Sequence, residues 1–208
     1  MMNKIEVENI ADELSQHIME LLEKDPYLLL READLTGHLW IKINELKDSF
    51  QPFSVKERGI TSPLHLEYPR HFFNKNGHQE IMGRSDIVIL KEINEAPYNA
   101  GYFDYQKVGV AFEVKCSWNG TPDSVIKNIM SDIGVFNSEG NQDIPEYGIS
   151  FNVNTTKAVD SFSNVRNEIN QIKIDEKYEW AKSFVIYIES YDPKRCDKNP
   201  QLLAKWLN

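Results

Sequence analysis

Positive charge is scarce in this chain. Its 23 Lys and Arg face 32 Asp and Glu, which gives a formal charge of −9 over 208 residues. Polyanion binding rests on Lys and Arg that neutralise phosphates, so this balance argues against an extended nucleic-acid face and leaves room only for local basic patches. Cysteine is nearly absent as well: Cys116 and Cys196 are too few for a disulfide framework and too far apart for a zinc knuckle. No apolar run approaches the roughly eighteen residues of a membrane span, and the N-terminal MMNKIEVENIADEL carries charge where a signal peptide needs an apolar stretch. A soluble, cytoplasmic protein with no membrane association is the expectation.

What is present is an ordinary core-forming composition, 41% apolar, enough for a single domain over 1–208. Ile10, Leu14, Ile18, Leu21 and Leu22 recur at helical spacing until Asp25-Pro26, which predicts an N-terminal helix within 1–27 packed on the core. Leu28, Leu35, Leu39, Ile43 and Leu46 predict a second helix over about 29–47, with the Ser49 to Ser54 region as a turn. Glu32 falls on that second stripe, where an acid needs a partner or a task. Strand character follows at 64–73, 85–90 and 108–118, the middle one continuous enough to be covered on both faces. Lys91 to Lys107 reads as a long polar link of the kind that is often functional.

Thr121-Pro122-Asp123 opens a helix whose apolar face is Val125, Ile126, Ile129, Ile133 and Phe136. A strand at 147–153, a helix at 159–174, a strand at 183–190 and a short closing helix at 201–207 complete the order. Helix, helix, three strands, helix, strand, helix, strand describes an α/β sheet flanked by helices.

Chemistry concentrates at Glu113-Val114-Lys115. Residues two apart on a strand share a face, so carboxylate and ammonium project together while Val114 turns into the core. Asp86 heads the preceding apolar strand, and if the two strands are neighbours its carboxylate meets that of Glu113 at one end of the sheet. Two hard oxygen ligands on rigid strands, with other positions left to water and phosphate, suit Mg²⁺. Such an ion polarises a phosphate and acidifies bound water, and Lys115 then orients or deprotonates that water or offsets charge on the phosphate. The same short pattern recurs at Glu45-Leu46-Lys47, Asp175-Glu176-Lys177 and Asp192-Pro193-Lys194, none within an apolar strand behind a second strand headed by aspartate. A solvated Glu113–Lys115 ion pair is the structural alternative.

Gly-x-x-Asp at 83–86 and Glu-x-Lys at 113–115, after a helix bearing Glu32, resemble the PD-(D/E)XK (restriction-endonuclease-like) nuclease superfamily over roughly residues 28 to 137. The resemblance implies a restriction-endonuclease-like core, a mixed β-sheet flanked by helices, here with an N-terminal helical extension. It implies that Asp86 and Glu113 bind Mg²⁺ or Mn²⁺, that Lys115 is the catalytic lysine and that Glu32 is an additional acid for metal and catalysis. DNA is the implied partner, with hydrolysis leaving a 3′-hydroxyl and with a homodimer or partner protein as further possibilities. Ser85 stands where the family's pattern usually has proline, and the helix after Lys115 lacks the glutamine-tyrosine signature of an exonuclease branch.

Glu32 has a second reading, as an acid neutralised by a neighbouring Lys or Arg. Between 56 and 84 the charge balance reverses, with Lys56, Arg58, Arg70, Lys75 and Arg84 against Glu57, Glu67 and Glu80 and with His65, His71 and His78 alongside. Arg70, Arg84 and Lys127 are therefore candidates to contact a nucleic-acid backbone, against ordinary surface charge. Cys116 reads as a small apolar strand residue rather than a nucleophile. Two functions compete with a nuclease: an inactive module of that fold that binds nucleic acid or a partner protein, and an acidic mimic of nucleic acid.

Overall fold

The structure, a computed structural model, describes residues 2–29, 31–46, 53–55, 59–61, 63–73, 79–92, 107–138, 144–157, 161–174, 181–192, 194 and 198–207. The chain begins with α1 (Lys4–Lys24), capped by Asn3, whose side chain accepts from the Ile5 and Glu6 amides while Glu6 accepts from the Asn3 amide in return. Helix α2 (Glu32–Glu45) follows, then a small antiparallel pair, β1 (Phe53–Val55) and β2 (Gly59–Thr61). The main sheet is built from β3 (Leu64–Phe73), β4 (Gln79–Glu92), β5 (Lys107–Trp118), β6 (Tyr147–Thr156), β7 (Lys182–Tyr191) and β8 (Gln201–Trp206), with α3 (Pro122–Phe136) and α4 (Ser161–Gln171) between β5 and β6 and between β6 and β7.

These six strands lie in chain order across the sheet. The β3–β4 and β4–β5 pairs are antiparallel, β5–β6 and β6–β7 parallel, and β7–β8 antiparallel. Parallel neighbours need a crossover, and α3 and α4 supply the two crossovers. Alternation sorts the strand residues between two layers. Ile87, Ile89, Val110, Phe112, Val114, Ile149, Phe151, Ile186 and Ile188 join Leu14, Ile18, Leu35 and Leu39 of the first two helices in one core. Val185 and Tyr187 turn the other way, onto Ile129 and Ile133 of α3 and Val165 and Ile169 of α4. Each such side chain contributes about 1.5–3 kcal/mol of burial. Helix α3 approaches β6 so closely that a Cβ at Gly148 would overlap the Phe136 ring.

Several expectations change. The 201–207 segment forms strand β8 (Gln201–Trp206) and not a closing helix. Seven residues are too few to sustain a helix alone, whereas β7 offers an open edge of backbone donors and acceptors. As a strand the segment alternates, Ala204 and Trp206 toward the core of α1 and α2 and Leu203 and Leu207 toward that of α3 and α4. Residues 53–55, read as part of a turn region or left unassigned, belong to β1. Helix α2 starts at Glu32 instead of near 29, so Leu29 is buried ahead of the helix, Leu28 is exposed, and Glu32 stands at the exposed helix start and not on the buried stripe. Lys56, Arg58, Lys75, His78, Cys196, the 175–177 segment and most of the Lys91–Lys107 link lie outside the described residues, as do the side-chain surroundings of His71. Among the described residues no helix is long and apolar enough to cross a membrane.

Candidate active site

Strands β4 and β5 pair only as far as Ile87 and Phe112. Beyond that point β4 stays with β3, through Tyr68–Ser85 and Pro69–Arg84, while β5 stays with β6, through Glu113–Ser150 and Lys115–Asn152. The two strands part, and the Val114 amide has no β4 carbonyl opposite it. Asp86 fills the opening: its Oδ2 accepts from Val114 N at 2.6 Å. A buried amide must be satisfied, and the side chain of Asp86 takes over from the ladder.

Asp86, Glu113 and Lys115 thereby meet on the α3 side of the sheet, the side taken by Val88 and Ala111. Lys115 Nζ donates to Val114 O at 3.0 Å and lies 3.9 Å from Asp86 Oδ2 and 3.7 Å from Glu32 Oε2. Glu32 is thus the lysine's partner from the start of α2, and its side chain is 47% exposed. Arg70 reaches in from β3, its Nη1 3.6 Å from Glu113 Oε1, an ion pair too long for a hydrogen bond. Gly83 makes room for that guanidinium: it holds φ +85°, and a Cβ there would overlap Arg70 Nη2.

The electrostatics are set by burial. Glu113 is pushed up to about 8, because removal from water disfavours its anion and Asp86 and Asp132 add like charge, more than Arg70 and Lys115 recover. Burial pulls the Lys115 ammonium down, but Asp132, Glu32, Asp86 and Glu113 surround it and the net shift is upward. These neighbours hold Lys115 in its protonated form. Glu32 is raised by burial, against the pull of Lys115. Cys116 is pushed up to about 11 by burial and by Asp34 and Glu32, which disqualifies it as a thiolate nucleophile.

Asp132 on α3 belongs to this site and was missed. It is 2% exposed, accepts from Ser150 Oγ at 2.6 Å, and Asn152 Nδ2 donates to the same Ser150 Oγ at 2.7 Å. Burial raises it to about 6, against the Ser150 hydrogen bond and the Lys115 charge. The signal was available: Asp132 sits three residues after Ile129 on the apolar stripe of its helix, the argument that singled out Glu32. The other two candidates remain outside. Arg84 is exposed, 4.0 Å from an equally exposed Glu67, a pair worth little. Lys127 is exposed on α3.

Among the described residues no cluster of three or more His, Cys, Asp or Glu is arranged to hold a metal ion. A hard cation needs fewer protein ligands than that, since Mg²⁺ is commonly bound through one or two carboxylates with water and phosphate completing the shell. Asp86 and Glu113 fit that requirement in their chemistry and in one specific respect: Glu113 Oε1 is buried without a hydrogen-bond partner. Compared with known proteins, the chain matches no family model, no curated protein and no solved structure.

Proposed function

We propose that this chain is a divalent-cation-dependent phosphodiesterase that cleaves DNA, as its resemblance to the PD-(D/E)XK nucleases implies. The observation that carries the reading is the parting of β4 and β5, which sets the Asp86 carboxylate into the backbone of the strand that presents Glu113 and Lys115. Asp86 and Glu113 would hold Mg²⁺ or Mn²⁺. When bound, the ion supplies Lewis acidity toward a phosphate and stabilises the ionised form of Glu113. The rest is done by the chain. Lys115, held protonated by the acidic groups around it, Asp132 and Glu32 foremost, would place a positive charge where a phosphate accumulates negative charge. Asp132, Ser150 and Asn152 form the polar floor that holds this face of β5 and β6 in register. Arg70, only 16% exposed, adds a second cation to the pocket.

The test is cleavage of mixed supercoiled, linear duplex and single-stranded DNA by wild type and Lys115→Ala, in Mg²⁺, Mn²⁺ and EDTA, after both proteins are shown to be folded. Metal-dependent cutting by wild type alone supports the reading. Equal cutting by both proteins, or none by either, overturns it. A second reading, a nuclease-fold module that binds without cutting, is favoured by the Arg70 guanidinium, which already faces Glu113 as a cation would. It predicts metal-independent binding of nucleic acid or protein and no turnover.

A further inference from the structure

Arg70 enters the site through an irregularity in the β3–β4 ladder. Pro69 pairs with Arg84 and His71 with Ile81, so one residue of β3, Arg70, stands against two of β4, Met82 and Gly83. An extra residue of this kind bends its strand and re-aims the side chains beside it. Gly83 takes the left-handed conformation and leaves the space that Arg70 Nη2 fills. The guanidinium so aimed ends 3.6 Å from Glu113 Oε1, with 16% of the Arg70 side chain and 8% of the Glu113 side chain exposed.

That pair is half made. A settled arginine–carboxylate pair closes to two parallel hydrogen bonds of about 2.7–2.9 Å. Here the groups meet at one long contact, and among the described residues Glu113 Oε1 and Arg70 Nε are both buried without a hydrogen-bond partner. Each costs stability until a better partner arrives. For Oε1 that partner is a cation. For the guanidinium, always charged and forked, it is an oxyanion that can accept two parallel hydrogen bonds. The two replacements depend on each other. An oxygen-bound divalent ion lies about 2.1 Å from its ligand, so an ion on Oε1 and a guanidinium nitrogen 3.6 Å from the same atom are near neighbours of like charge in a buried site. A phosphate group resolves the conflict, because its oxygens accept from the guanidinium while its charge offsets both cations.

We propose that Arg70 competes with the divalent cation for Glu113 and is released by a phosphate group, so that cation and phosphate bind this site cooperatively. The inference rests on the proposed function for the identity of both ligands. Mn²⁺ binding is measured by electron paramagnetic resonance of the free ion with wild type, Arg70→Gln, Arg70→Lys and Glu113→Gln, each shown by its melting curve to be folded. Only binding that Glu113→Gln removes is counted. The phosphate probes are dimethyl phosphate, a diester without a base, and inorganic phosphate. With no phosphate present, Arg70→Gln binds Mn²⁺ about tenfold more tightly than wild type. Saturating dimethyl phosphate raises the wild-type affinity about tenfold and leaves that of Arg70→Gln unchanged, and by reciprocity Mn²⁺ raises the wild-type affinity for the diester by the same factor. Arg70→Lys keeps the charge and loses the fork, so it retains the low Mn²⁺ affinity and loses most of the phosphate response; it decides the matter if Arg70→Gln does not fold. A rise with inorganic phosphate but not with the diester retains the exchange and overturns the diester as its occupant. Equal Mn²⁺ affinity in wild type and Arg70→Gln, or an equal response of both to phosphate, overturns the exchange, and metal-dependent cutting of DNA by the same wild type then leaves the nuclease reading standing. Arg70-dependent coupling without cleavage of any DNA does the reverse. Absence of Glu113-dependent Mn²⁺ binding in every protein, with phosphate or without, overturns both.

Discussion

Glu113→Gln should make the protein more stable at alkaline pH, by an amount that grows across a defined window. The unfolded carboxyl loses its proton near its ordinary value of 4.5, while burial holds the folded one protonated up to about 8. Between these values the folded state binds more protons than the unfolded state, so stability is complete below pH 4.5 and is lost as pH rises toward 8. At about 1.4 kcal/mol per pH unit, the accumulated loss above pH 8 is on the order of 4 kcal/mol. Glutamine preserves the shape, carries no charge and escapes the loss; the weakened contact with Arg70 at 3.6 Å subtracts a smaller amount. Thermal melts of both proteins from pH 5 to pH 9 should therefore start within about 1 kcal/mol of each other and separate with pH. For a domain of this size each 1 kcal/mol moves the midpoint by about 2–4 °C, so the gap at pH 9 should approach 10 °C. Parallel curves for the two proteins across that range would refute the burial argument.

The Asp86 carboxylate bonds Val114 N and, on the proposed function, would also hold the cation, so Asp86→Ala should cost about 1–3 kcal/mol in denaturant unfolding and remove the rise in melting temperature that the proposal expects Mg²⁺ or Mn²⁺ to produce in wild type. A rise retained in the variant would exclude Asp86 from the proposed metal site. Asp132→Asn keeps an acceptor for Ser150 but removes the carboxylate that most strongly raises Lys115, so each unit by which the lysine falls increases its free-amine fraction about tenfold. Amine labelling of Lys115 at pH 9, followed by peptide mass spectrometry, should accelerate, and an unchanged rate counts against the coupling. Gly148→Ala forces a methyl into the Phe136 ring and should destabilise by about 1–3 kcal/mol, read by urea midpoint; a neutral substitution would show that α3 shifts freely over β6.

Periodicity exposed the framework because burial writes period into sequence. The stripes of α1, α2 and α3 and the apolar runs of β5, β6 and β7 lie where alternation and helical spacing place them, since each of these elements has its own core face to cover. Segment 201–207 was misread because its outcome depends on β7: with Leu202, Leu203, Ala204 and Trp206 it fits either period, and pairing with Phe184 through Glu189 decides. No local signal in those residues records that an edge is vacant.

The site was legible to the extent that its residues share an element. Glu113 and Lys115 are two apart on one strand, and the spacing alone puts them on one face. Asp86 required a further assumption, that its strand adjoins β5, and the pairing of Ile87 with Phe112 supplies it. Arg70, Asp132 and Ser150 arrive from β3, α3 and β6, and only the sheet order brings them to one place. The glycine at 83 shows how such information can still be recovered. In sequence it is the first letter of a four-residue pattern; in the fold it is a backbone position next to Arg70 where a side chain would strike the guanidinium. Gly83→Ala should therefore alter the site through a residue thirteen positions away, displacing Arg70 from Glu113 and removing the cation that partly offsets its burial. The expected signature is a further rise in the Glu113 pKa, measurable by NMR titration of its carboxyl carbon; a Glu113 that titrates unchanged in Gly83→Ala would mean that Arg70 contributes nothing to the charge balance of the pocket.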